Sequence, residues 1–224
     1  QVCISSEAFH TMLRRAQETE LSAQTCANVV WSLAKLRYKP GPDLLTSLLQ
    51  TAEQELLNFW PRNLANTLWG LARLRCSGHR NFYPLAVKRL GLVALQMTPV
   101  EVSNSLWAAA RLRLDTDDSA LDAIVDCSQA TVHHWKPQDI ANALWAFSVL
   151  QYKPASPFLD AVATQSEKNL AAFKADELAM CVRSFARISG CNGAFLKAAA
   201  KRLESDVKDL RVERVADAVL AFAE

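Results

Sequence analysis

The residues of this chain whose type and spacing could do chemistry are asparagines and cations in a fixed relation. Asn28, Asn66, Asn104 and Asn142 stand 38 residues apart. An amide side chain offers two donors and an acceptor, enough to read a base edge or to bond a neighbouring backbone. Seven places after each of these positions, and after the equivalent Met180, stand Lys35, Arg73, Arg111, Val149 and Arg187, basic in all but one copy. Position +4 holds Ser32, Gly70, Ala108, Ala146 and Ser184, always a small residue. A small residue one turn before the charge clears space beside it, and a cleared, repeated strip of cations suits a row of phosphates.

Structural roles compete with these. The asparagines fit ligand contact and also a structural ladder in which each amide bonds the backbone of the next unit. The cations at +9, Arg37, Arg75 and Arg113, fall in the last turn of the expected helices. There positive charge complements the helix dipole, and that reading suffices for them. Trp31, Trp69, Trp107 and Trp145 follow the asparagines by three residues and read as the structural core of the repeat, packing unit against unit.

The elements that must position these residues follow from the period. In the third copy, Thr98-Pro99 opens a helix, with Thr as cap and Pro pre-set for the first helical position. That helix is expected to run to about Arg113, and a second from Ser119 to His134, with Leu121, Ile124, Val125 and Val132 on one stripe. Pro61 and Pro137 match Pro99, while Ala23 and Ala175 replace it. The fifth copy keeps Leu178, Ala179, Val182, Phe185 and Ala186 but has Met180 and Arg183 for the Asn and Trp; the sixth has Asp217 and Leu220 there. Apolar positions −2, −1, +2, +3, +5 and +6 form an arc too broad for a lone surface helix, so both flanks are expected to be covered.

The expected fold is all-α: a right-handed α-solenoid of about six helix-turn-helix repeats with a 38-residue period. One repeat array spans 1–224, in units of about 5–40, 41–78, 79–116, 117–154, 155–191 and 192–224. Gln1 at the start and a helical pattern still running at Glu224 read as a chain truncated at both ends.

Composition narrows the function classes. A net charge of +2 in 224 residues argues neither strongly for nor against a polyanionic partner. No apolar run reaches the roughly 20 residues of a membrane span, so no membrane insertion is expected. The six glycines form no phosphate loop, and neither HExxH nor GxSxG occurs, so the chain is expected not to be an enzyme and to need no cofactor. Cys76 and His79 and the adjacent His133 and His134 lack the spacing of a metal site, and no metal is expected. Asp115, Asp117 and Asp118 read as a solvated turn and helix cap rather than a carboxylate pair for acid–base work. The cysteines 3, 26, 76, 127, 181 and 191 form no CxxC pair; Cys26 and Cys127 fall on apolar faces as small hydrophobes, which suits a reducing compartment.

The stretch from Lys136-Pro137-Gln138-Asp139 through Ile140-Ala141-Asn142-Ala143-Leu144-Trp145 to Ala146-Phe147 resembles the signature of octotricopeptide repeats. Leu64 to Leu74 does so as well, and Tyr-Lys-Pro at 38–40 and 152–154 fits the end of that unit. The related helical repeats of organellar proteins that often carry a RAP domain are the alternative resemblance. Either implies an organellar RNA-binding helical-repeat protein, acting in RNA metabolism or translation or as a ribosome-associated subunit. Single-stranded RNA or rRNA would be the partner rather than DNA, and the mitochondrion, or alternatively the chloroplast, the location. The family signature matches at Asn28, Asn66, Asn104, Asn142 and the four tryptophans. Lys35, Arg73, Arg111 and Arg187 complete the candidate RNA-binding set. The competing expectation is a protein–protein scaffold within a large organellar assembly.

Overall fold

A computed structural model describes residues 6–77, 81–116, 118–189 and 193–223, and the side chains at 189, 217 and 221–223 lie outside the description. Cys3, His79, Asp117, Cys191 and the side chain of Asp217 are therefore not among the described groups. The described residues are helical with no strand. In chain order the helices are α1 Glu7–Glu18, α2 Ala23–Leu36, α3 Pro42–Gln54, α4 Pro61–Leu74, α5 Phe82–Val93 and α6 Pro99–Leu112. They continue as α7 Asp118–Gln129, α8 Pro137–Leu150, α9 Ser156–Lys168, α10 Ala175–Ser189, α11 Gly193–Ser205 and α12 Val212–Ala223.

The ends of the even-numbered helices are set locally. Pro61, Pro99 and Pro137 occupy the first turn, where a missing N–H is harmless. An acid three residues past the cap closes the start: Glu101 accepts from the Thr98 backbone N–H at 2.7 Å, Asp139 from that of Lys136 at 3.1 Å, and Glu177 from that of Lys174 at 3.2 Å. This is half of a capping box, repeated. The other end closes in a left-handed residue, at Arg37 (φ 55°), Arg75 (58°), Arg113 (53°) and Gln151 (57°). The next amide reaches back over the turn, Tyr38 to the Leu33 carbonyl at 2.9 Å and Cys76 to that of Leu71 at 3.0 Å, as in a Schellman motif. Leu114 and Tyr152 repeat the bond to Ala109 and Phe147.

Even-numbered helices pack on one another in sequence, α2 on α4, α4 on α6, and so on to α10 on α12, and form a close inner layer. Odd-numbered helices form a looser outer layer. Helices thus pack in neighbouring pairs, the architecture of an α-solenoid, and one connected core runs from Ala23 to Ala218.

The inner packing corrects part of the face assignment. Gly70, Ala108, Ala146 and Ser184 at +4 are buried rather than clearing room for a ligand, and Thr67, Ser105 and Ala143 at +1 are buried with them. This flank lies against the preceding inner helix, where only small side chains allow close approach: a Cβ on Gly70 would meet Val30 Cγ1 at 2.7 Å. Ser32, in the first inner helix, has no such neighbour and is exposed.

The alternate helix is also shorter than expected. α7 ends at Gln129, and the chain tightens into a 3-10 turn over Val132–His134. Equivalent turns occupy Leu56–Asn58, Ala94–Gln96, Leu170–Ala172 and Val207–Asp209. In chain order the first four of these five turns are each followed by a buried anchor, Phe59, Met97, Trp135 or Phe173. Driving that side chain inward requires the tighter turn, because a continuing α-helix would carry the anchor past the core.

Candidate nucleic-acid interface

Burial of the −1, +1 and +4 positions leaves one stripe of each inner helix facing out: the 0, +3 and +7 positions. These fall on one face because three, four and seven residues are near-integral helical turns. In α2 the stripe is Asn28, Trp31 and Lys35, with the Lys35 ammonium 5.5 Å from the Trp31 ring centroid. In α4 it is Asn66, Trp69 and Arg73, with the guanidinium carbon 5.7 Å from the Trp69 centroid. In α6 and α8 the tryptophans meet each other, Trp107 and Trp145 lying 6.4 Å apart at 35°.

None of these four tryptophans is fully buried, and Trp31 is 40% exposed. Trp69, Trp107 and Trp145 pack against the core from its edge and form the wall of a surface as much as repeat core. The tryptophan that is core is Trp135, 1% exposed. The asparagine ladder is absent: among the described residues no side chain of Asn28, Asn66, Asn104 or Asn142 makes a hydrogen bond. Asn28 is exposed and the other three are half-buried, so their amides are open to an incoming donor or acceptor.

A groove of about 720 Å³ crosses the inner layer diagonally. It begins at the ends of α2 and α4 with Arg37, Lys39, Arg73 and Arg75, and takes in Arg111 from the end of α6. It then passes Trp107 and Trp145 in mid-helix and Met180 of α10, and finishes on Arg211 and Arg214 at the start of α12. Along the chain the lining thus shifts from helix ends to a helix start. Seven cations line it, and no carboxylate is among the described lining residues. Arg211 donates through Nε to Asp176 Oδ2, which partly neutralises its charge. Arg37, Arg73, Arg75 and Arg111 make no ion pair with any described residue. Lys39 also faces the buried Cys76, whose thiol burial pushes up in pKa while the nearby ammonium draws it down.

The groove therefore gathers some of the expected residues and leaves others out. Arg73 and Arg111 line it, whereas Lys35, Arg187 and the four asparagines do not. Arg37 and Arg75, ascribed above to the helix dipole alone, line it too, and Arg211 and Arg214 were not anticipated. The left-handed backbone sharpens the case of the +9 arginines. An L-residue with a Cβ pays roughly 1–2 kcal/mol in that conformation, and an exposed cation beside a helix end returns about 0.3–1 kcal/mol. The dipole alone does not offset the backbone cost. No pattern in the sequence marks the left-handed positions, because Gly and Asn, their usual occupants, are missing.

Beyond the groove, no group of three or more His, Cys, Asp or Glu among the described residues could hold a metal ion. No helix of the described residues is long and apolar enough to cross a membrane. Fold and site together define an all-helical protein of stacked helix pairs with a cationic groove across its inner layer. No protein-family model and no curated protein matches the chain.

Proposed function

We propose that the chain binds single-stranded RNA along this groove, as a helical-repeat protein of an organelle. The observation that carries the reading is the segregation of charge: a chain of net charge +2 collects seven cations on one groove with no carboxylate among its described lining residues. Local concentration of cations, rather than net charge, is the electrostatic footprint of a nucleic-acid binder. Half-buried indole rings supply stacking surface for unpaired bases, and the open asparagine amides supply base-edge hydrogen bonding. We read the twelve helices as about six 38-residue units of a right-handed solenoid. At about one base per unit, such an array covers about six nucleotides. The role is binding rather than catalysis, in RNA metabolism, translation or contact with ribosomal RNA, and the mitochondrion is the proposed location.

Measuring binding of the chain to a pool of short single-stranded RNAs across a salt series tests this. Affinity should fall with rising salt at a slope near −0.7 per phosphate neutralised. Absence of binding at 50 mM salt would overturn the reading.

One observation favours a second reading, a scaffold within a larger assembly. Leu57 is 77% and Trp60 71% exposed, and both line a shallow hollow of about 370 Å³ with Arg89 and Val93 on the outer side. Large apolar side chains grouped at a surface mark protein contacts.

A further inference from the structure

Arg75 and Arg111 border not only the main groove but a second hollow, of about 470 Å³, completed by Ser77 and Arg113. We propose that this hollow is a phosphodiester cradle that fixes the register of the RNA backbone, and that the left-handed caps exist to present its arginines. The proposal rests on the RNA-binding reading and places the backbone at the C-terminal ends of α4 and α6. The bases then point along the helices toward Trp69, Trp107, Asn66 and Asn104.

Three observations converge on the cradle. Arg75 and Arg113 hold φ values of 58° and 53°, a conformation that Gly adopts without strain. Each is pinned by two backbone bonds, Arg75 N–H to Ala72 at 3.2 Å with Cys76 N–H to Leu71 at 3.0 Å, and Arg113 N–H to Ala110 at 3.2 Å with Leu114 N–H to Ala109 at 3.0 Å. The side chains therefore leave from a rigid point rather than a flexible loop. Finally, the guanidinium groups of Arg75, Arg111 and Arg113 are in no ion pair with a described residue, although three like charges border one hollow. Like charges gathered without a counter-charge among the described residues suit an anion, and a guanidinium fork matches two oxygens of a phosphate. Folding alone would favour Gly at these caps, so strain kept at a repeated surface position points to function.

Replacing Arg75 and Arg113 together by Gly separates the two roles. The double variant should keep its helical content and an equal or higher Tm, because Gly relieves the strained φ. It should bind a single-stranded RNA oligonucleotide weaker by on the order of tenfold per arginine, with a salt slope shallower by about 1.4 for two lost phosphate contacts. A second variant, Arg75→Gln with Arg113→Gln, covers failure of the first to fold, since Gln151 occupies the equivalent cap at φ 57°. Unchanged affinity and slope in either folded variant, with the unaltered protein binding RNA, would overturn the cradle and leave RNA binding to the rest of the groove. A Tm lowered by several degrees in the glycine variant would overturn it as well, by making the arginines structural. Failure of the unaltered protein to bind RNA would remove the functional reading and the cradle together.

Discussion

Gly70 of α4 lies so close to Val30 of α2 that a Cβ added there would stand 2.7 Å from Val30 Cγ1 and 3.0 Å from the Val30 carbonyl oxygen. A Val30 methyl is the nearest obstacle and the Val30 backbone stands close behind it, so the approach of the two inner helices depends on the missing methyl of Gly70. Gly70→Val should therefore cost roughly 1–3 kcal/mol through overpacking, despite the better helix propensity of Val over Gly. A urea unfolding midpoint unchanged from the parent would show that α2 can shift without loss.

A second link joins α6 to α8. Ser103 Oγ donates to Asp139 Oδ1 at 3.1 Å, while Asp139 Oδ2 accepts from the Lys136 backbone N–H at 3.1 Å. Asp139 is 6% exposed, so both bonds are made away from water. Asp139→Ala strips the helix start of its acceptor and leaves the Ser103 hydroxyl with only its bond to the Val100 carbonyl. We expect a loss of about 1–3 kcal/mol. Thermal unfolding within a degree of the parent would rule out this link as a contributor.

The cationic strip is tested by charge reversal at two of its unpaired members. Arg73→Glu combined with Arg111→Glu should reduce RNA affinity by at least about a hundredfold at low salt, through two lost phosphate contacts and two repulsive ones. Both side chains are exposed, so the circular dichroism spectrum should stay as it is. Undiminished binding by the folded double variant would remove the groove from consideration.

Thiol chemistry reports on the inner core. Burial raises the Cys26 pKa from 9.0 to about 12 and pushes that of Cys181 well above its ordinary value. Thiolate is the reactive species, so iodoacetamide at pH 8 should label the half-buried Cys127 before Cys26 or Cys181. Equal rates at Cys26 and Cys127, read by mass spectrometry, would contradict this. The same shift predicts a pH dependence of stability. The unfolded chain ionises Cys26 first, so the stabilisation is complete below about pH 9 and declines as pH rises from there toward about 12.

The all-helical character, the helix starts and the identity of the inner helices were legible in the residues themselves. Pro61, Pro99 and Pro137 fix φ and remove a donor, and the 3.6-residue spacing of apolar positions fixes which face turns inward. The capping acids at 101, 139 and 177 were not anticipated, yet they act within their own turn in the same way. Interactions of this range need no partner helix to be decided.

The site was decided by tertiary structure. Which flank of an inner helix is buried depends on the neighbour packed against it, so the small residues at +4 belong to helix contact although their spacing allowed a ligand-facing role. Whether Asn66 and Asn104 bond the next unit depends on the separation and rotation between helices, which no single helix encodes. The stacking also brings Arg37 and Arg75, at the ends of early helices, onto one groove with Arg211 and Arg214 at the start of the last one. Residues more than 130 positions apart share that surface because each inner helix packs on the next, and the small step between neighbours, which no single helix encodes, sets the curvature of a stack.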